Sequence, residues 1–168
     1  MKVLRFLVIM LTALSMSAAV AHLLEMPAKL NYDGALWLKL LQTLYPTFGK
    51  VSGVCEIGAV IACLALVAVV RKRRRAFRWT LLAASCLAAT HAIFWIWVAP
   101  VNTALVPLSP ETLPANWERW RDQWEFAHAA RAILQIVALA ALVVSVLTEL
   151  PTTARDSEER PGLNEPGA

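Results

Sequence analysis

The apolar positions of this chain gather into four blocks, residues 3–24, 51–70, 79–99 and 127–147. Each is close to the roughly 20 residues that a helix needs to cross a bilayer. Between the first two blocks the pattern changes. Over residues 30–48, Leu36, Leu40, Leu41 and Leu44 recur at helical spacing, with Tyr32, Trp37 and Tyr45 among them. That predicts a short amphipathic helix lying on the outer interface, begun at Asp33-Gly34 and stopped at Pro46. Pro27 closes the first helix or kinks its exit. Residues 105–114 hold three prolines and lead to the fourth helix, for which Asn116 is the expected N-cap and Glu118 is favoured by the helix dipole. Residues 151–168 are rich in Pro, Gly and charge, lack apolar periodicity and read as a disordered cytoplasmic tail. The expected fold is therefore all-α: an integral membrane four-helix bundle over residues 1–150, a short outer amphipathic helix, and the tail.

Composition supports this reading. Of the 168 residues 58% are hydrophobic, more apolar surface than a soluble domain of this size can hide. Net charge is +4, unevenly spread. Arg71, Lys72, Arg73, Arg74, Arg75 and Arg78 crowd the turn between the second and third spans, and Lys2 and Arg5 precede the first. By the positive-inside rule that turn and both termini are cytoplasmic, in a multi-pass protein of the cell membrane. Residues 25–50 and 100–123 then face the other side. A basic turn between two spans is a topology signal that also touches anionic lipid, so no nucleic-acid partner is expected. The expected partners are the lipid bilayer and a lipophilic small molecule, with a homo-oligomer left open.

Cys55, Cys63 and Cys86 lie inside spans without a Cys-x-x-Cys, and read as small buried apolar residues. A quinone-linked disulfide oxidoreductase, which needs a paired dithiol, is excluded. So are kinases, ATPases and hydrolases, since there is no phosphate-cradling glycine loop and no serine-nucleophile motif. The first span has a second reading. Its basic start and Ala19-Val20-Ala21 resemble a signal peptide whose cleavage would leave His22 first. Retention as a membrane helix is preferred, because His22 and Glu25 continue one helix face.

The chemistry lies in polar residues placed where they are costly. On the fourth helix Trp117, Arg121, Trp124, His128, Arg131 and Gln135 alternate at spacings of four and three and form one stripe. An ionisable residue in hydrocarbon costs on the order of 3 kcal/mol, more if unpaired. With a rise of about 1.5 Å per residue, His22, Glu56, His91, His128 and Arg131 all fall in one outer stratum. The inner halves of the spans carry almost no ionisable group. A shared cavity open to the outer face accounts for this asymmetry.

Pro100-Val-Asn102, followed by Trp117-x-x-Trp120-Arg-x-x-Trp124-Glu-x-x-His128-x-x-Arg131, resembles the signature of the anthrone-oxygenase-like small membrane proteins. His22-x-x-Glu25-x-Pro27 and Tyr45-Pro46 are similar to that pattern too. The resemblance spans roughly residues 3–147. It implies a four-helix membrane fold and, as in the characterised fungal members, oxidation of an anthrone to an anthraquinone by molecular oxygen without an evident cofactor. Most members have no assigned reaction. His91 and the outer amphipathic segment have no clear place in the family pattern.

On this reading a histidine in an apolar cavity removes an aromatic C–H proton, with His128 or His91 as the base and Arg131 stabilising the anion. His22 joins these as the fourth candidate catalytic residue. Trp95 and Trp124 stack on the substrate's rings, and Asn102, Trp117, Trp120, Arg121, Glu25 and Glu56 complete the candidate substrate-binding set. Two alternatives stay open. His22, His91 and His128, with Glu25 or Glu56, are a reasonable ligand set for iron, copper or zinc, and two opposed histidines could hold haem. The polar stratum could also simply lock the helices of a non-catalytic subunit or carrier.

Overall fold

A computed structural model describes residues 1–150; the expected tail, residues 151–168, lies outside the described residues. The described residues form six α-helices: α1 (Lys2–Lys29), α2 (Gly34–Thr43), α3 (Tyr45–Val70), α4 (Arg74–Ile93), α5 (Ala99–Leu105) and α6 (Trp117–Leu147). A π-helical turn, Phe94–Val98, joins α4 to α5, and a 3₁₀ turn, Pro110–Thr112, precedes α6. Among the described residues there is no strand. Four stretches, Lys2–Lys29, Tyr45–Val70, Arg74–Leu105 and Trp117–Leu147, are long and apolar enough to cross a membrane. The all-α multi-pass expectation is met, with every span longer than its apolar block.

The helices close a ring: α1 packs on α3 and α6, and α4 packs on the same two. Where α3 turns into α4, at the basic end of the bundle, the interfaces use small residues. Ala59, Cys63, Ala76, Ala83, Ala84, Ala138 and Ala141 are buried there, letting backbones approach closely. Thr80 and Ser145 hydrogen-bond across the α4–α6 contact at 2.8 Å. Large apolar side chains such as Val54, Ile61, Leu64 and Ile133 point outward, as lipid contact requires. Glu149 ties this end together, taking Arg5 at 2.6 Å and Arg73 at 2.7 Å. All three cysteines are free, and Cys63 and Cys86 are buried.

α1 ends at Lys29, two residues past Pro27, so Pro27 lies in its last turn. α2 ends at Thr43, just before Pro46, and Pro46 itself sits in the first turn of α3, where its missing N–H costs nothing. Asn116 occupies the N-cap position of α6 without a side-chain capping bond. Pro100 also lies within a helical run rather than ending one. The π-helical turn just before it widens the backbone and accommodates a residue that cannot donate.

α2 is the short amphipathic helix expected between the first two spans. Asp33 caps it, accepting from the Leu36 N–H at 2.8 Å, as its sequence suggested. It packs across the end of the bundle opposite the basic turn, with Leu36 exposed on its outer side. Trp37 and Leu38 are fully buried there and Leu41 nearly so, against Val98, Val101, Leu105 and Trp124. Each such leucine contributes about 1.5–3 kcal/mol relative to exposure to water. Gln42 Nε2 fastens the far side of α2 by donating to the Val106 and Leu108 carbonyls, both at 2.7 Å.

Candidate functional site

Beneath α2 the four long helices enclose a cavity of about 610 Å³. His22 comes from α1, Glu56 from α3, His91 from α4, and Trp124, His128, Arg131 and Gln135 from α6; Trp95 and Asn102 line it as well. The stripe on α6 faces inward as its spacing requires, with Arg121, Trp124, His128, Arg131 and Gln135 all buried. The structure thus brings together all four residues put forward as catalytic, and Trp95, Asn102, Trp124 and Glu56 of those put forward as substrate-binding.

The other four lie outside the cavity. Glu25 accepts from the Tyr45 hydroxyl at 2.8 Å near the α2 end. Trp117 packs against Trp37 and Gly34, with the Arg121 guanidinium over its ring at 5.1 Å. Arg121 also reaches the Tyr32 carbonyl and pairs with Asp122. Trp120 packs on the cluster beneath α2. These side chains hold α2 in place.

Hydrogen-bond partners assign each imidazole a state. His128 Nδ1 lies 2.9 Å from the Trp124 carbonyl, which can only accept, so Nδ1 carries the hydrogen and Nε2 the lone pair. His91 Nε2 accepts from Trp95 Nε1–H at 3.1 Å, so its Nδ1–H donates to Glu56 at 3.2 Å. His22 Nδ1 faces the Lys29 ammonium at 3.4 Å and accepts from it. Of the three rings, His128 alone keeps an uncommitted lone pair. Its ring lies 4.0 Å from that of Trp124 and 4.4 Å from that of His22. That leaves Trp124, 2% exposed, little free face for a ligand, whereas Trp95 is 62% exposed at the rim.

Glu56 is the hub of the cavity floor. Its carboxylate takes Arg131 at 2.7 Å and Gln135 Nε2 at 3.3 Å in addition to His91. α3 and α6 face each other across the ring, so this pair spans the bundle. Arg131 Nε, Gln135 Oε1 and Ser15 Oγ are buried around the same space and have no hydrogen-bond partner within the protein. Each is closed off from the cavity as well as from water, a polar cost carried by the packing around Glu56.

Sequence reasoning did not single out Lys29 and Glu125, a buried ion pair at 2.8 Å that Trp37 Nε1 joins by donating to Glu125 at 3.2 Å. A signal existed: Lys29 lies two turns beyond His22, and Glu125 one turn before His128, on the inward faces. The histidines do not assemble as a three-membered ligand set. His22 and His128 are in ring contact, leaving no gap for a porphyrin, while His91 is engaged by Glu56 and Trp95. Among the described residues no three His, Cys, Asp or Glu side chains are grouped to hold a metal ion. Comparison with protein-family models, curated proteins and solved structures finds no match to this chain.

Proposed function

We propose that this multi-pass protein is an oxygenase-like oxidoreductase that oxidises a flat, lipophilic aromatic of the anthrone type within the cavity, in the manner of the anthrone-oxygenase-like membrane proteins it resembles. The basic turn and both termini lie in the cytoplasm and the α2 end faces outward, following the lysine and arginine bias. The observation that carries the reading is the uncommitted Nε2 of His128, on a ring that lines the same cavity as Arg131.

The chemistry balances with dioxygen as the oxidant. His128 Nε2 takes a proton from the activated CH₂ carbon, and the remaining enolate, held near Arg131, gives an electron to dioxygen and recombines with it. The hydroperoxide anion so formed recovers the proton from His128. Loss of water then takes the carbon's second hydrogen and one oxygen atom, and the other oxygen stays as the new carbonyl. Trp95 serves as the aromatic platform at the rim. Purified protein in lipid vesicles is expected to consume oxygen with an anthrone. His128→Gln should lower kcat by about 10²–10⁴ while the melting temperature holds. Undiminished turnover in that variant would sink the assignment.

A second reading is favoured by one observation, the Glu56–Arg131 pair across the bundle: a non-catalytic module whose polar floor only locks the helices. It predicts no oxygen uptake with any anthrone and no binding of flat aromatics.

A further inference from the structure

The geometry points to a lateral entrance: the cavity takes its ligand sideways from the lipid through a slot between α3 and the α4–α5 arm, kept open by Gly49 and Gly53. The inference rests on the proposed lipophilic substrate and adds the route by which it arrives. Toward the outer face α2 narrows the cavity. α2 sits there with Trp37 and Leu38 fully buried, and Gln42 ties it to the loop after α5.

One side of the ring is looser. α3 packs on α4 from the basic end up to the Glu56–His91 hydrogen bond, whereas the π-helical turn and α5 pack on α6. The arm therefore diverges from α3 at the level of the polar floor. The rim is apolar and faces outward: Val54 is 72% exposed, Ile57 49% and Trp95 62%, and all three line the cavity. The charge at this rim is Lys50, toward the α2 end.

Gly49, Gly53 and Glu56 stand at spacings of four and three, so the glycines lie directly above the carboxylate on the cavity face of α3. A Cβ added at either would meet nothing within 4 Å. Glycine inside a helix costs roughly 0.5–1 kcal/mol relative to alanine, and neither position needs it for close helix contact. Open space in front of both, continuous with the cavity that Glu56 and Arg131 line, gives the two glycines a use: they leave room for a flat molecule to slide in edge first.

Two measurements test this. In protein whose three native cysteines are replaced by alanine, Gly53→Cys in lipid vesicles should react with the bilayer-soluble probe N-pyrenylmaleimide. It should resist a membrane-impermeant charged thiosulfonate added to the same vesicles, opened so that both faces are reached. Reaction with the charged reagent, or with neither, overturns the lateral route whatever the protein catalyses. In the second, Gly53→Leu should raise KM for an anthrone at least about tenfold with an unchanged melting temperature. A wild-type KM in Gly53→Leu also overturns the route. Absence of turnover in the wild type removes the substrate reading and leaves the labelling result to decide the slot.

Discussion

Replacing Glu56 by glutamine should unbalance the whole cavity floor. The carboxylate is 2% exposed and accepts from Arg131 at 2.7 Å, His91 Nδ1 at 3.2 Å and Gln135 Nε2 at 3.3 Å. The lone pair of His91 Nε2 is occupied by the Trp95 indole, so the ring cannot switch tautomer without setting Nε2–H against Trp95 N–H. A glutamine offers one oxygen where three donors converge and turns an NH₂ toward at least one of them. It also strands the Arg131 charge, whose Nε is already partnerless. Breaking a buried pair by removing one partner costs about 3–5 kcal/mol, because the other charge stays buried. The assay is reversible unfolding in mixed micelles, comparing Glu56→Gln, Arg131→Met and Glu56→Leu/Arg131→Met. Each single variant should lose about 3–5 kcal/mol, and the double variant should recover most of it, since an apolar pair leaves no stranded charge. A single-variant loss below about 1 kcal/mol, or a double variant worse than both singles, refutes the reasoning.

Two further outcomes follow from α2 and its anchor. Lys29→Met leaves Glu125 with only the Trp37 indole and should destabilise by about 3–5 kcal/mol, read by the same unfolding assay, with Lys29→Met/Glu125→Leu substantially recovered. Gly34→Val places a Cβ 2.9 Å from Leu113 Cδ1 and 3.0 Å from Trp117 Cε2. It should cost about 1–3 kcal/mol and speed amide exchange in α2 while leaving α3 and α6 protected, as hydrogen-exchange mass spectrometry would show.

The residues themselves announced a good part of this protein. Periodicity alone puts Arg121, Trp124, His128, Arg131 and Gln135 on one face of α6, because a 3.6-residue repeat fixes what shares a face wherever the helix goes. The cost of charge in hydrocarbon made His22, Glu56 and His91 belong together, and they line one cavity. Asp33 starts α2 because an aspartate before a helix can accept the N–H bonds that its first turn leaves open. Each of these follows from interactions a few residues apart, or from a free-energy cost that any position in lipid imposes.

Tertiary structure decided which groups meet. Lys29 finds Glu125 rather than only Glu25, and α2 packs across the bundle end, because Trp37 is buried between α6 and the turn after α4. His128 rather than His91 keeps a free lone pair, since Trp95 curls back onto His91 while the Trp124 carbonyl fixes His128. The glycines of α3 became an opening when the arm beyond the π-helical turn packed on α6. Apart from the two histidine bonds, these contacts join residues from distant parts of the chain, and even those two depend on how the helices meet around the rings. A helical repeat states which face is buried but not what lies opposite, and the chemistry of this cavity is a matter of what lies opposite.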